Sequence, residues 1–474
     1  MADRPTTLDA TRPLRYHAAS ERLMRIVFPH GFRWGVATAS YQIEGSPLAD
    51  GAGPSIWHEF SHRPGRIKDG TNGDLACDHY HLYAQDVGLM KDLGLGAYRF
   101  SVSWPRIFPE PHRPNQKGID FYSRLVDCLL AAGIEPWLTI FHWDEPIWLE
   151  KMGGFRKRLA IDHLVEYGSC LFRSLGDRVK NWVSVNEPSI FTSLGYILGL
   201  FPPGRKNDLS GMFRCAHHLL LAHARLRASM RNLVPDGRMG MAFAQIWISP
   251  RAADNEKDRR AAEFMDHTLN RFFIDPFFFG TYPARVLAKI GRRLPRGFDR
   301  DLPDMKGSMD FAGINYYQRS VYQWAPFQPY THAKEYVDPT APRSAMWEIY
   351  PAGIYKLLLR MRDEYDNLPC YITENGFPLP TTDERDPLDD PERIAYLRDH
   401  IALVGKAIDE GVDCRGYFAW TLMDNFEWAF GHLMRFGLLH TDFATQTRSF
   451  RRSASWYKQL AISNGVDTEQ LALN

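Results

Sequence analysis

The sequence predicts an α/β protein: a single-domain (β/α)8 TIM barrel with long loops at the C-terminal face of its strands. Three observations carry this. Eight short, nearly continuous apolar runs recur along the chain, as expected of parallel strands covered on both faces. Amphipathic helical segments stand between them. No Ser/Gly linker or compositional break divides the 474 residues, so they read as one unit. Eight strands alternating with helices favour a closed barrel. An open doubly wound sheet is the alternative. It is disfavoured because no glycine-rich phosphate loop follows an early strand.

In chain order, the strand candidates are Trp34–Thr38, Ala97–Ser103, Pro136–His142, Trp182–Asn186, Met239–Ile246, Asp310–Tyr316, Cys370–Thr373 and Gly416–Thr421. Tyr83, Val87 and Met90 form a helical stripe before Gly94. Phe121, Leu125, Cys128 and Leu129 form another, closed by Gly133. Asp390 and Pro391 give a cap and a first-turn proline. Ile394, Leu397, Ile401, Val404 and Ile408 follow on one face, and Gly411 ends the helix. About 250 residues suffice for a minimal barrel. The surplus is expected in the loops Glu44–Leu75, Phe201–Met212 and Gln318–Met346, which should wall the site. Residues 1–27 read as an N-terminal tail or a segment on the domain surface, and 28–474 as the barrel domain. That first stretch carries Arg4, Arg12, Arg15, Arg22 and Arg25, interrupted by Asp3, Asp9 and Glu21, with no apolar core of signal-peptide length.

The formal net charge of +1 gives no reason to expect nucleic acid or an anionic membrane as partner. No run of about 18 apolar residues suggests a membrane span. Hydrophobic residues make up 45%, enough for a sizeable core. Aromatic residues reach 13%, including 13 Trp, which suits sugar faces and large cores alike. The closest of the six cysteines in sequence, Cys128 and Cys170, stand 42 positions apart, so no pair has metal-ligand or redox spacing. A reduced, cytoplasmic protein is the simplest reading. The sequence leaves the oligomeric state open, and the basic stretch Lys289–Arg300 reads as solvated surface.

Chemistry enters at the strand ends. Tyr371–Gly376 reads Tyr-Ile-Thr-Glu-Asn-Gly: an apolar strand ends on Glu374 and the chain turns at once. Trp182–Pro188 ends in Glu187 and is stopped by Pro188. A carboxylate at a buried strand tip costs desolvation energy unless something pairs or uses it. Taken singly, each reads equally well as a structural ion pair. Two of them suggest a pair facing one cavity, the arrangement glycoside hydrolysis needs. The other ends are similarly rich. Gln42 and Glu44 follow the first strand, and Arg99 and Trp104 belong to the second. The third ends His142-Trp143-Asp144-Glu145, the sixth Asn315-Tyr316-Tyr317, and the eighth has Trp420 and then Asp424-Asn425-Phe426-Glu427-Trp428.

These residues carry a resemblance. The stretches Phe32–Gly45, Tyr98–Arg106, Phe141–Asp144, Asn186–Pro188, Asn315–Tyr317, Thr373–Gly376 and Trp420–Trp428 together resemble glycoside hydrolase family 1, the β-glucosidase family, from about Phe28 to Lys458. The resemblance implies Glu187 as general acid/base and Glu374 as nucleophile. Arg99, Asn315 and Tyr317 would position the nucleophile. Gln42, His142, Trp143, Asn186, Glu427 and Trp428 would hold the sugar, with Trp420 beneath its ring and Phe436 as a wall. Departures occur at Glu145, where the family more often has leucine, at Leu200-Phe201-Pro202-Pro203, and at Phe377-Pro378-Leu379-Pro380. They lie near the expected entrance and bear on aglycone preference.

The implied activity is retaining hydrolysis of unphosphorylated β-D-glucosides, with galactosides or fucosides as further substrates, acting on a small glycoside or short oligosaccharide without metal or other cofactor. Glu427 near the sugar C6 would repel a phosphate. Three rivals stand beside this reading. A metal hydrolase would draw on His79, His81, His142, Asp144 and Glu145, but His79 and His81 open a helix two residues apart and point to different faces. A non-catalytic sugar-binding protein would have lost a carboxylate, and both are present. A transglycosidase would use the same intermediate and differ only in acceptor.

Overall fold

The computed structural model describes residues 24–381 and 386–468. Eight parallel strands close into a barrel: β1 (Arg33–Ala37), β2 (Ala97–Ser101), β3 (Glu135–Phe141), β4 (Asn181–Asn186), β5 (Arg238–Ala244), β6 (Phe311–Asn315), β7 (Cys370–Asn375) and β8 (Cys414–Trp420). They neighbour one another in chain order, and β8 pairs β1 with Trp420 opposite Ala37. All eight expected strands are present, with ends shifted by a few residues. The shift that matters is at β7, which runs through Glu374 to Asn375. Glu374 therefore sits within the ladder, opposite Asn315 of β6.

The outer ring comprises α1 (His79–Asp92), α2 (Gln116–Ala131), α3 (Leu159–Leu175), α4 (Leu209–Leu233), α5 (Glu256–Asp266, prolonged through Phe279), α6 (Ala352–Glu364), α7 (Pro391–Asp409) and α8 (Arg452–Ser463). On α2, Phe121, Leu125 and Leu129 are buried as their spacing predicts. At α7, Asp390 occupies the cap position, but its carboxylate accepts from the backbone N–H (2.8 Å) and hydroxyl (2.6 Å) of Ser453. It ties α8 to α7 instead of capping its own helix. No helix among the described residues is long and apolar enough to cross a membrane.

Large rings close the lower barrel. Trp137 of β3 packs against Tyr371, Phe418 and Phe311 at 4.6, 5.2 and 5.4 Å between centroids. Glycines on neighbouring strands make the room: a Cβ on Gly35 would lie 2.7 Å from the Phe418 ring, and one on Gly240 would lie 2.5 Å from that of Phe311. Large rings set against absent side chains fill the interior densely, which leaves the polar strand ends at the other rim as the place for a cavity.

Three features differ from expectation. Met24–Val27 forms an antiparallel strand with Gly465–Thr468, so these last four residues of the expected tail pack onto the domain; residues 1–23 lie outside the described residues. The stretch Gln318–Met346 is not all loop. Arg319–Trp324 and Ala333–Tyr336 form a hairpin extended by Trp247–Pro250. The cysteines far apart in sequence are not all far apart in space: Cys370 and Cys414 face each other across β7 and β8 as free thiols.

Candidate active site

The C-terminal strand ends gather the predicted groups. Arg99 of β2 is the hub. Its guanidinium donates to Glu374 Oε1 (2.6 Å), to Asn186 Oδ1 (2.6 Å) and to Thr139 Oγ1 (3.1 Å). Tyr317 donates its phenol to Glu374 Oε2 at 2.8 Å. Both oxygens of Glu374 therefore carry a donor, one of them cationic. Asn315 behaves differently from expectation: its amide donates to Glu187 Oε1 (2.8 Å) and Asn186 Oδ1 (3.1 Å), while its oxygen accepts from Thr373 Oγ1 (2.6 Å). It links the two glutamates' surroundings and does not serve Glu374 alone.

Glu187 follows β4 directly with φ 44°, and Trp143 and Trp428 also have positive φ, 75° and 49°. Bulky residues rarely adopt this conformation, which costs of order 1–3 kcal/mol each and tends to cluster at functional sites. Here it turns three predicted site residues at the barrel mouth.

Electrostatics separates the two glutamates. Burial, and then the charge of Glu374, push the Glu187 carboxyl up to about 8. Burial raises Glu374 as well, but Arg99, Tyr317 and Asn315 pull against it. A cation and hydrogen bonds to the charged form favour ionisation. Glu374 is thus the group that keeps its charge and Glu187 the one that keeps its proton. Glu427 is also driven to about 8, by burial and then by Glu374. The expected repulsion between Glu427 and a phosphate therefore needs correction: near neutral pH this carboxyl is largely protonated.

The tautomer of His142 follows from the network. Asn186 Oδ1 accepts from Arg99 and Asn315, so its Nδ2 donates to His142 Nε2 at 3.0 Å. Burial, together with Arg99, holds His142 well below the ordinary histidine value. The ring is neutral, and its proton sits on Nδ1, a buried atom with no partner. Gln42 is the complement. Its Nε2 donates to Phe426 O (2.9 Å), Asn425 Oδ1 (3.1 Å) and Glu427 Oε2 (3.3 Å), leaving its buried Oε1 without a partner. The strand ends thus hold one buried free donor and one buried free acceptor.

Aromatic rings complete it. Trp420 stacks near His142 at 6.0 Å, and Trp428 packs on Trp57 (4.5 Å) and Trp143 (4.8 Å). Trp143 spends its indole N–H on Asn186 O at 2.7 Å, so the ring supports Asn186 from behind. Phe436 sits beside Tyr317 at 6.3 Å.

Sequence reasoning missed two residues. Trp347, one position beyond the third expected loop, packs between Tyr317 (5.1 Å) and Phe436 (5.9 Å) with its buried indole nitrogen unpartnered. Gln245, at the end of β5, has a buried unpartnered Nε2. The sequence expects no site residue at the fifth strand end, where Gln245 is the only amide. Of the three expected walls, Trp57 and Phe201 supply the first two against Trp428. The hairpin of the third pairs with Trp247–Pro250, and Trp347 just beyond it approaches the site.

The five groups of the metal reading do not meet. His79 pairs with Asp86 (2.7 Å), His81 with Asp78 (2.5 Å), and Asp144 accepts from Ser40 (2.9 Å). Glu145 is fully buried, 2.8 Å from where a Cβ on Gly154 would stand. It therefore lies off the entrance where its departure from the family pattern had placed it.

The family model of glycosyl hydrolase family 1 matches residues 24–466. The chain belongs to this family. It is 46% identical over 446 residues to β-glucosidase A of Thermotoga maritima, covering 93% of this chain and 99% of that one. It is 45% identical to a 1,4-β-D-glucan glucohydrolase of Thermotoga neapolitana, again covering 93% and 99%. Its fold is similar to a Thermotoga maritima family 1 glycoside hydrolase complexed with a cyclophellitol analogue transition state mimic: TM-score 0.90, 45% identity, 93% of this chain and 99% of the other. The chain is accordingly an enzyme that hydrolyses glycosides.

Proposed function

We propose that the enzyme cleaves unphosphorylated β-D-glucosides with retention, through a covalent glycosyl-enzyme on Glu374. The observation that carries the assignment is the asymmetric environment of the two glutamates, with Arg99 and Tyr317 on Glu374 and burial around Glu187. In the first step a Glu374 oxygen forms a bond to the anomeric carbon, the bond to the aglycone oxygen breaks, and the Glu187 proton passes to that oxygen. In the second, water attacks the anomeric carbon, its proton returns to Glu187, and Glu374 leaves as a carboxylate. Retention requires carboxyl groups about 5–5.5 Å apart. A single Asn315 amide that hydrogen-bonds Glu187 and also lowers Glu374 supports a pair at such range.

The sugar hydroxyls meet the unpartnered Nδ1–H of His142, the unpartnered Oε1 of Gln42 and the carboxyl of Glu427, with Trp420 under the ring. A neutral C6 is supported by Arg435, the nearest guanidinium in sequence to Glu427. It is turned to Asp424 (3.4 Å) and to the carbonyls of Thr441 (3.0 Å) and His432 (3.1 Å). Six free thiols support a reducing, cytoplasmic setting. The names of the relatives support glucosides as the substrate class, and galactosides and fucosides remain part of the proposal.

Glu374→Ala tests the assignment. Turnover of a nitrophenyl β-D-glucoside should fall by several orders of magnitude, and azide should rescue it with an α-configured product. Full activity without azide, or a rescued product of β configuration, would sink it.

A further inference from the structure

A second cluster of ligand-type side chains lies outside the sugar pocket, on the long segment between β1 and α1. His58 and His62 stand four apart at a short helix, Ile56–Ser61, and so lie on one face. Asp74 comes back from the far end of the same segment to meet them. His62 Nε2 is 3.0 Å from Asp74 Oδ2, and His58 Nδ1 is 3.5 Å from Asp74 Oδ1. A histidine nitrogen and a carboxylate oxygen both bound tetrahedrally at about 2.0–2.2 Å would lie about 3.3–3.5 Å apart. The two nitrogen–oxygen spacings are close to that, and all three ligand atoms lie within 4.8 Å of one another.

The hydrogen bonds argue for a cation between them. His62 Nδ1 lies 2.6 Å from the carbonyl of His58, which only accepts, so Nδ1 carries the proton. In the neutral ring Nε2 is then a lone pair. The Asn72 oxygen accepts from Asp74 N (3.0 Å), which leaves its Nδ2 pointing a donor at that same lone pair (3.3 Å). Yet the lone pair also faces a carboxylate oxygen. A proton on Nε2 would satisfy Asp74 and collide with the Asn72 donor. A lone pair satisfies Asn72 and opposes Asp74. His58 Nδ1 adds a second, buried nitrogen with no hydrogen-bond partner aimed at the same carboxylate. A ligating histidine whose other nitrogen donates to a backbone carbonyl is the usual outer support of a metal site.

We propose that His58 Nδ1, His62 Nε2 and the Asp74 carboxylate bind a divalent transition cation of the Zn2+ class, with water completing the coordination. The ion would clasp the two ends of the segment that delivers Trp57, the neighbour of His58, onto Trp428 at 4.5 Å. Its role is to hold a wall of the sugar site, and it takes no part in bond cleavage. Imidazole and carboxylate together suit Zn2+, Ni2+ or Cu2+ over Mg2+ or Ca2+.

One other group of this kind exists among the described residues: His112, His163 and Glu166. Its His163 Nδ1 to Glu166 distance is 3.8 Å, and His112 is 67% exposed. The test removes it first. Chelator-stripped His112→Ala protein is titrated calorimetrically with ZnCl2 alone, and its melting temperature is followed with and without Zn2+. One Zn2+ per chain and a raised melting temperature are expected. Adding His62→Gln or Asp74→Asn, both at exposed side chains, should weaken binding at least roughly tenfold and remove the thermal shift, while glucosidase rates without Zn2+ stay at the His112→Ala value. MgCl2 should give neither signal. Absence of saturable Zn2+ binding up to millimolar concentration, or equal binding in the His62→Gln and Asp74→Asn proteins, overturns the proposal.

Discussion

Tyr317→Phe isolates how the proposed nucleophile keeps its charge. The phenol donates to Glu374 Oε2 at 2.8 Å, and burial with the neighbouring Glu374 charge holds Tyr317 far above the ordinary tyrosine value, so it stays a donor throughout the working range. The substitution deletes one hydroxyl and leaves Arg99 on Oε1 at 2.6 Å. A hydrogen bond to a charged group contributes ~1.5–3 kcal/mol. At 1.36 kcal/mol per unit, that is a rise of ~1–2 units in the Glu374 pKa. The sign is fixed because the bond favours the ionised form; losing it makes protonation easier. In the proposed mechanism activity requires ionised Glu374 and protonated Glu187. The acid limb of kcat/KM should therefore move to higher pH by ~1–2 units, while the alkaline limb, set by Glu187 near 8, stays in place. The assay is kcat/KM for a nitrophenyl β-D-glucoside from roughly pH 4 to 9. An acid limb fixed within roughly 0.3 units, or movement of the alkaline limb alone, would refute the reasoning.

Other consequences can be read the same way. Glu187→Gln should stabilise the fold increasingly as pH rises: a carboxyl lifted from 4.5 to about 8 disfavours the native state progressively across that window. The variant's advantage in thermal unfolding should grow by on the order of 3–5 kcal/mol between pH 5 and 8.5, and a pH-independent difference would contradict it. His142→Phe removes the unpartnered Nδ1–H and also the acceptor for Asn186 Nδ2. It should cut kcat/KM by roughly 10–100-fold and destabilise the fold by ~1–3 kcal/mol, read as an activity loss together with a lowered melting temperature. Gly376→Ala places a Cβ 1.8 Å from the Trp420 carbonyl oxygen. It should destabilise by about 2–3 kcal/mol or more and move Trp420 under the sugar, detectable as joint losses of melting temperature and activity.

The barrel was legible because parallel strands covered on both faces are written as apolar runs, and helices between them as spaced stripes. The two glutamates were legible because charge at the tip of such a run is costly and therefore informative. What escaped notice had no local signature. Met24–Val27 becomes a strand only through Gly465–Thr468, at the far end of the chain. The hairpin at Arg319–Trp324 is anchored by Trp247–Pro250, which no turn motif announces. Trp347 and Gln245 are set by three-dimensional neighbours, and their sequence surroundings resemble ordinary loop. Asn315 of β6 serves Glu374 on the neighbouring β7 and also donates to Glu187, which follows β4 two strands away, a relation visible only once the barrel closes. Glu145 was the opposite case: conspicuous in sequence, yet buried beside Gly154.

The charge balance of the pocket explains how one pair of carboxyls can serve both half-reactions. Three acids are buried here, Glu187, Glu374 and Glu427, with Arg99 paired to Glu374. With Glu187 and Glu427 both near 8, the resting pocket at neutral pH holds one anion, one cation and two protonated acids. In the proposed mechanism glycosylation converts Glu374 to a neutral ester. The negative charge that lifted Glu187 is then gone, whereas Arg99, which lowers Glu187, remains and has lost its partner. A buried unpaired cation is costly, and the nearest way to restore balance is to ionise an acid beside it. Glu187 has just given its proton to the leaving aglycone, so its carboxylate is favoured where it was disfavoured a step earlier. It is then poised to take a proton from water. When the ester is cleaved the anion returns to Glu374, Arg99 is again paired, and the proton on Glu187 is again the stable arrangement. The switch from acid to base thus follows from one fixed guanidinium and one charge that comes and goes.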